Sequence, residues 1–121
     1  MSPRTRRRAV LRPRLRVLRG ADVALGPGKV ALLEAIAHER TIAGAARALA
    51  MSYMRAWTLV RTMNRSFRRP LVETARGGAG RGATRLTRAG VAVVRLYREM
   101  ERRGLRAADP PWRRLRRWLK P

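Results

Sequence analysis

Apolar and polar positions alternate between Arg14 and Leu25: Leu15, Val17, Val23 and Leu25 are apolar, with Gly20, Ala21 and Asp22 between the two pairs. A period of two predicts a short strand or hairpin. Gly26-Pro27-Gly28 then breaks the chain. From Lys29 to Arg40 the period changes, because Leu32, Leu33, Ile36 and Ala37 recur at helical spacing. Ala43 to Leu49 is rich in alanine and predicts a second helix suited to close packing. Ala50-Met51-Ser52 makes a three-residue break, and Ser52 is a good N-cap for a third helix from Tyr53 to about Phe67. Along that helix Ala56, Val60, Met63 and Phe67 form an inward stripe, and Met54, Arg55, Thr58, Arg61, Thr62 and Arg65 occupy the other face. Pro70 ends it.

Leu71 to Ala75 is strand-like, Arg76 to Ala83 holds four of the ten glycines, and Thr84-Arg85-Leu86 suits a returning strand. Thr87 is placed to cap a fourth helix reaching about Arg103, with Val91, Val94, Leu96, Tyr97 and Met100 as a broad apolar stripe. Gly104 to Asp109 reads as a linker, and Pro110-Pro111 opens a short basic amphipathic piece from Trp112 to Leu119. The organisation expected is a flexible arm over 1–14, a folded domain over 15–103 and a basic amphipathic tail over 104–121. The order strand, helix, helix, helix, hairpin, helix is that of a winged helix-turn-helix: mainly α with a small β-hairpin wing.

Charge changes the picture from fold to partner. Thirty Lys+Arg against seven Asp+Glu leave a net charge of +23 in 121 residues. Residues 1–19 hold eight arginines and no acid, whereas residues 102–121 hold seven arginines, Lys120 and one acid, Asp109. A surplus of that size attracts a polyanion, with nucleic acid the favoured partner. No cysteine is present, which excludes disulfides and thiolate chemistry, and one histidine with seven acids leaves few parts for metal or acid–base work. The expectation is therefore no enzyme, no cofactor and no metal site. No apolar stretch reaches the roughly 18 residues of a membrane span, and Arg4 to Arg8 are followed by no apolar signal segment, so a cytoplasmic place on the bacterial nucleoid is expected.

The third helix carries the candidate base contacts. Arg55 can donate two hydrogen bonds to guanine N7 and O6, and Ser52, Tyr53, Met54, Thr58 and Arg61 share its side or the helix N-terminus. Trp57 is expected to pack against the wing or the first helix. In the wing, Arg76, Gly78, Arg81 and Arg85 are placed for phosphates or the minor groove, where glycines let the backbone approach closely. Gly77 to Gly82 has the spacing of a P-loop, but Ala83-Thr84 stands where Lys-Ser/Thr is required, which removes nucleotide binding. His38 is a lone histidine near a helix end and reads as structural or solvated, not as a ligand.

Leu32-Leu33-Glu34-Ala35-Ile36, Ala45-Ala46-Arg47-Ala48-Leu49, Met51-Ser52-Tyr53, Ala56-Trp57, Leu71-Val72-Glu73, the glycine-rich stretch Gly77 to Ala83, Leu86-Thr87-Arg88-Ala89-Gly90 and Leu96-Tyr97 stand in one order. From about Leu15 to Glu101 this order resembles the DNA-binding domain of the molybdate-responsive, ModE-type regulators, and more loosely the LysR-type regulators. The resemblance implies double-stranded DNA binding and transcription control. It also implies dimerisation through the fourth helix, with Val94, Leu96, Tyr97 and Met100 as the contact residues, in a homodimer or with a full-length ModE-type relative. In that family Ser or Thr usually begins the second helix, where this chain has Ala43, so the cap and its phosphate contact would be lost or pass to Thr41. The usual turn glycine is Ala50 here, which costs about 1 kcal/mol if the turn requires a positive φ. The family's molybdate-binding β-barrel domain is not expected within these 121 residues, and molybdate sensing is not implied. Two other functions stay open: a non-specific nucleoid or RNA-binding protein, and a membrane-surface or protein-docking adaptor using the Trp/Arg tail.

Overall fold

The N-terminal alternation folds as a hairpin, β1 (Val17–Arg19) pairing antiparallel with β2 (Asp22–Leu25) around a turn at Gly20, whose φ of +59° suits glycine. The protein is described here by a computed structural model covering residues 8–75 and 83–121. Residues 1–7 of the expected arm lie outside the described residues. Arg8 to Leu11 line a cleft of about 280 Å³ together with Leu105, Asp109, Trp112 and Arg116, so this end of the arm lies beside the end of the last helix.

Pro27 sits in the first turn of α1 (Pro27–Glu39), where its missing N–H is no loss. Val30, Leu32, Leu33 and Ile36 are fully buried and make α1 the centre of the core. The helix stops at Arg40, which turns left-handed (φ +64°) and donates its N–H to Ile36 O at 2.9 Å. Thr41 caps α2 (Ile42–Ala48) by accepting from the Gly44 N–H at 2.9 Å, so the cap does fall to Thr41. Buried Gly44, Ala45 and Ala46 bring α2 close to its neighbours.

The turn between α2 and the next helix is a Schellman motif: Met51 N–H reaches Ala46 O at 3.0 Å and Ala50 N–H reaches Arg47 O at 3.1 Å. Ala50 takes the left-handed position, φ +54°. The turn does require a positive φ, and an alanine occupying it costs about 1 kcal/mol. Ser52 caps α3 (Tyr53–Ser66) by accepting from Arg55 N–H at 3.1 Å, and Ala56, Val60 and Met63 form its buried stripe. Near its end Asn64 Oδ1 accepts from the Leu71 and Val72 N–H groups, at 2.8 and 3.2 Å, while its Nδ2 donates to Val72 O. One amide side chain thus fixes where the next strand starts.

β3 (Val72–Thr74) and β4 (Thr84–Leu86) pair antiparallel, Glu73 opposite Arg85, as the base of the wing. The glycine-rich tip, with the candidate residues Arg76, Gly78 and Arg81, lies outside the described residues. Thr87 then caps α4 (Arg88–Arg116), its Oγ1 accepting from Gly90 N–H at 3.0 Å. Gly90 has to be glycine, since a Cβ there would stand 2.2 Å from the Leu71 carbonyl oxygen.

Two expectations fail in α4. The linker expected from Gly104 to Asp109 is helical, and α4 runs without a break for 29 residues through Pro110 and Pro111. Those prolines remove the N–H partners of the Arg106 and Ala107 carbonyls. Both residues are exposed, so water replaces the lost donors. Ion pairs one turn apart, Glu99 with Arg103 and Asp109 with Arg113, each 2.8 Å, add local support. Tyr97 is also not on an outward stripe. It is 1% exposed, and its hydroxyl donates to Leu15 O at 2.7 Å, tying α4 to the N-terminal segment.

Candidate nucleic-acid interface

The outward face of α3 is built from residues that the core does not use. Tyr53, Met54, Arg55, Thr58 and Arg61 are all exposed, and the inward stripe holds them in place. Their helix is anchored at both ends, by Ser52 and by Asn64. Thr58 Oγ1 donates to Met54 O at 2.9 Å and Thr62 Oγ1 to Thr58 O at 2.9 Å. Thr58 therefore offers a ligand its acceptor lone pairs and its methyl group, not its proton. Ser52 has its oxygen engaged in the cap, which holds the first turn open to a ligand.

Arg55 does not stand alone. It lines a cleft of about 280 Å³ with Arg14, Arg16 and Lys29, so four cations from the N-terminal segment, α1 and α3 surround one opening. Lys29 donates to the Val23 carbonyl, and burial holds its ammonium below the usual lysine range against the opposing pull of Asp22. Arg14 and Arg16 were absent from the candidates named on the sequence. Their alternation with Leu15 and Val17 was the available signal, because it places them opposite the hairpin's apolar side. Arg61 and Arg65 border a smaller depression with Thr58 and Thr62 further along α3.

On the other side of α3 a groove of about 540 Å³ is lined by Thr41, Ile42, Ala43, Tyr53, Trp57, Thr74 and Thr84. Trp57, 38% exposed, faces this groove between the start of α2 and the wing strands; α1 is not part of its lining. Thr41 and Ala43 are exposed at the same rim. The wing is fastened to this rim, because Thr84 N–H donates to Arg40 O at 2.8 Å. Arg85 is exposed but has its Nε on Glu73 Oε1 at 2.8 Å, leaving its terminal nitrogens for a phosphate. Leu96 and Met100 are 59% and 45% exposed on α4, Val94 is half-buried, and Tyr97 is buried. Of the four expected dimer contacts, Leu96 and Met100 lie fully in the open.

Two helices across a tight turn, an exposed second helix rich in arginine and a hairpin beside it define a helix-turn-helix DNA-binding module. The bacterial regulatory helix-turn-helix family of the lysR type matches residues 28–91, a little over half of the chain, and the chain belongs to that family. It is a family of regulatory DNA-binding proteins and not of enzymes. The chain is 46% identical over 80 residues to the molybdenum-pterin-binding protein MopA of Rhodobacter capsulatus, covering 66% of this chain and 30% of that one. It is 43% identical over 75 residues to the molybdenum transport protein ModE of Herbaspirillum seropedicae (62% and 28%). It is 38% identical over 71 residues to the DNA-binding transcriptional dual regulator ModE of Escherichia coli K12 (59% and 27%). The chain thus spans less than a third of the length of these relatives. The full-length LTTR LysG of Corynebacterium glutamicum shares its fold, with a TM-score of 0.54 at 24% identity over 74% of this chain and 29% of that one. Among the described residues no helix is long and apolar enough to cross a membrane.

Proposed function

We propose that the chain is a ModE-like transcriptional regulator of the bacterial cytoplasm that binds a specific double-stranded DNA site as a homodimer. The observation that carries this reading is the outward face of α3, where Arg55 stands exposed in the first turn beside Tyr53, Met54 and Thr58 above a wholly buried stripe. Arg55 reads guanine in the major groove, and Thr58 accepts a hydrogen bond or meets a thymine methyl. Arg61 and the rim residues Thr41 and Ala43 meet the flanking phosphates, and so does the wing through Arg76, Gly78, Arg81 and Arg85. Leu96 and Met100 pair two α4 helices, whereas Val94 lies on the inward side and packs partly on the core, and the exposed pair also suits a full-length ModE-type relative. Two-fold pairing sets two α3 helices about 34 Å apart and requires an inverted-repeat site. No cofactor enters this reading.

A general nucleoid or RNA-binding role is the second reading, and the +23 charge favours it. Selection from a random duplex pool at about 150 mM salt separates the two, since screening trims non-specific attraction. A two-fold-symmetric motif with half-sites one turn apart is expected. Recovery of unenriched sequence, with binding that collapses as salt rises, would overturn the regulator reading.

A further inference from the structure

α4 has three faces. One turns inward through Gly90, Tyr97 and the largely covered Glu101. A second is apolar and exposed at Leu96 and Met100. The third is cationic. At 3.6 residues per turn Arg88, Arg95, Arg102 and Arg106 fall within an arc of about 40°, and Arg113 and Arg117 continue it within about 60°. All six are exposed. Among the described residues only Arg113 of the six makes an ion pair, with Asp109. Glu99 also lies on this side and is paired with Arg103. The arginine face is turned about a third of a circle from the apolar one, so pairing of two α4 helices leaves it open.

Such a face costs the isolated chain stability. Arg102 and Arg106, like Arg113 and Arg117, stand four residues apart on one side of a helix, where like charges repel. An anion laid along the helix relieves that repulsion. The arginines span about 43 Å at 1.5 Å per residue, a little more than the roughly 34 Å of one duplex turn. Guanidinium groups match phosphate geometry two donors at a time. A lipid surface is a poorer fit, because the apolar side chains that would enter it belong to another face of the helix. The residues that α4 buries, Gly90 and Tyr97, lie in its first ten, so Arg102, Arg106, Arg113 and Arg117 stand on the stretch beyond the core.

We propose that the arginine face of α4 binds the phosphate backbone of a second DNA duplex, so that a chain seated on DNA through α3 bridges two duplexes. The proposal rests on DNA binding through α3 as read above. To test it, the full chain is loaded on beads carrying a biotinylated mixed-sequence duplex of about 40 base pairs at ~150 mM salt, and capture of a labelled second duplex is measured per protein bound. The triple variant Arg95→Gln/Arg102→Gln/Arg106→Gln is expected to load within about 2-fold of the unmodified chain and to capture at least ~10-fold less second duplex. Its capture step should also lose about three from its salt slope. Arg55→Ala should reduce loading and leave capture per bound chain unchanged. Unchanged capture by the triple variant would overturn the proposal, because bridging would then run through two helix-turn-helix units of a dimer. Loading without capture by the unmodified chain would overturn it too, as would capture of labelled RNA or anionic phosphatidylserine vesicles in place of DNA. Failure of the unmodified chain to load at all would instead defeat the DNA-binding reading of α3.

Discussion

α3 and α4 both show arginines to solvent, but they are secured in different ways. α3 buries Ala56, Val60 and Met63 along 14 residues and is fixed at each end by a side chain, Ser52 and Asn64. α4 buries only Gly90 and Tyr97 over 29 residues, both in its first third. The short helix is a rigid platform whose outer residues are spared for a ligand. The long helix is anchored at one end and projects beyond the core, so its distal half depends on ion pairs, the Arg8 to Leu11 segment and whatever binds it. Rigidity belongs to the helix that reads, and reach belongs to the helix that extends past the domain.

The anchorage of α4 is where this contrast breaks most sharply. Gly90→Ala puts a Cβ 2.2 Å from Leu71 O, in backbone that cannot give way cheaply. A loss of about 3 kcal/mol is expected, seen as a fall in the thermal midpoint of 10 °C or more by circular dichroism. The platform is tested by Arg55→Ala, which should leave the midpoint unchanged and weaken binding to the selected duplex by about 2 kcal/mol, some 30-fold by fluorescence anisotropy. An equal loss on unrelated duplexes would show that Arg55 touches phosphate and not base.

Tyr97→Phe removes the hydrogen bond to Leu15 and should cost about 1 kcal/mol in chemical denaturation at neutral pH. Burial, with a smaller contribution from Glu101, raises the phenol above its ordinary value against the opposing pull of Arg98 and Arg14. The neutral form is therefore favoured in the folded state. Its stabilisation is complete below about pH 10, and falls as pH rises through that value toward the higher folded one. The phenylalanine variant should lose this alkaline slope. The smallest effect is a gain: Ala50→Gly should relieve the left-handed turn ahead of α3 by somewhat under 1 kcal/mol and raise the midpoint by a few degrees.

The same contrast separates what could be read along the chain from what could not. α2, the turn and α3 were legible because local residues decide them: the alanine run, the Ser52 cap and Pro70 all act within a few positions. Thr41 as cap and the cost at Ala50 followed from the same local logic. α4 was cut short because Gly104 and Pro110-Pro111 are local breakers; the helix runs through them all the same, and the exposed pair of Asp109 with Arg113 offsets only a small part of their cost. Tyr97 looked outward from its stripe because its partner, the Leu15 carbonyl, is 82 residues distant. Arg14 and Arg16 join Arg55 only once that hairpin is folded back.

The bond between Tyr97 and Leu15 also sets an order of events during synthesis. Residues 27–66 close contacts among near neighbours in the chain, so the three helices can assemble early, when little else has left the ribosome. The segment at Leu15, just ahead of the hairpin, is made first and fastened last. Its bond must wait until Tyr97 emerges, because closing a loop of 82 residues carries an entropy cost that is repaid only when both ends are present. A chain halted before Tyr97 would expose Arg14 and Arg16 on an untethered strand, with α3 already formed.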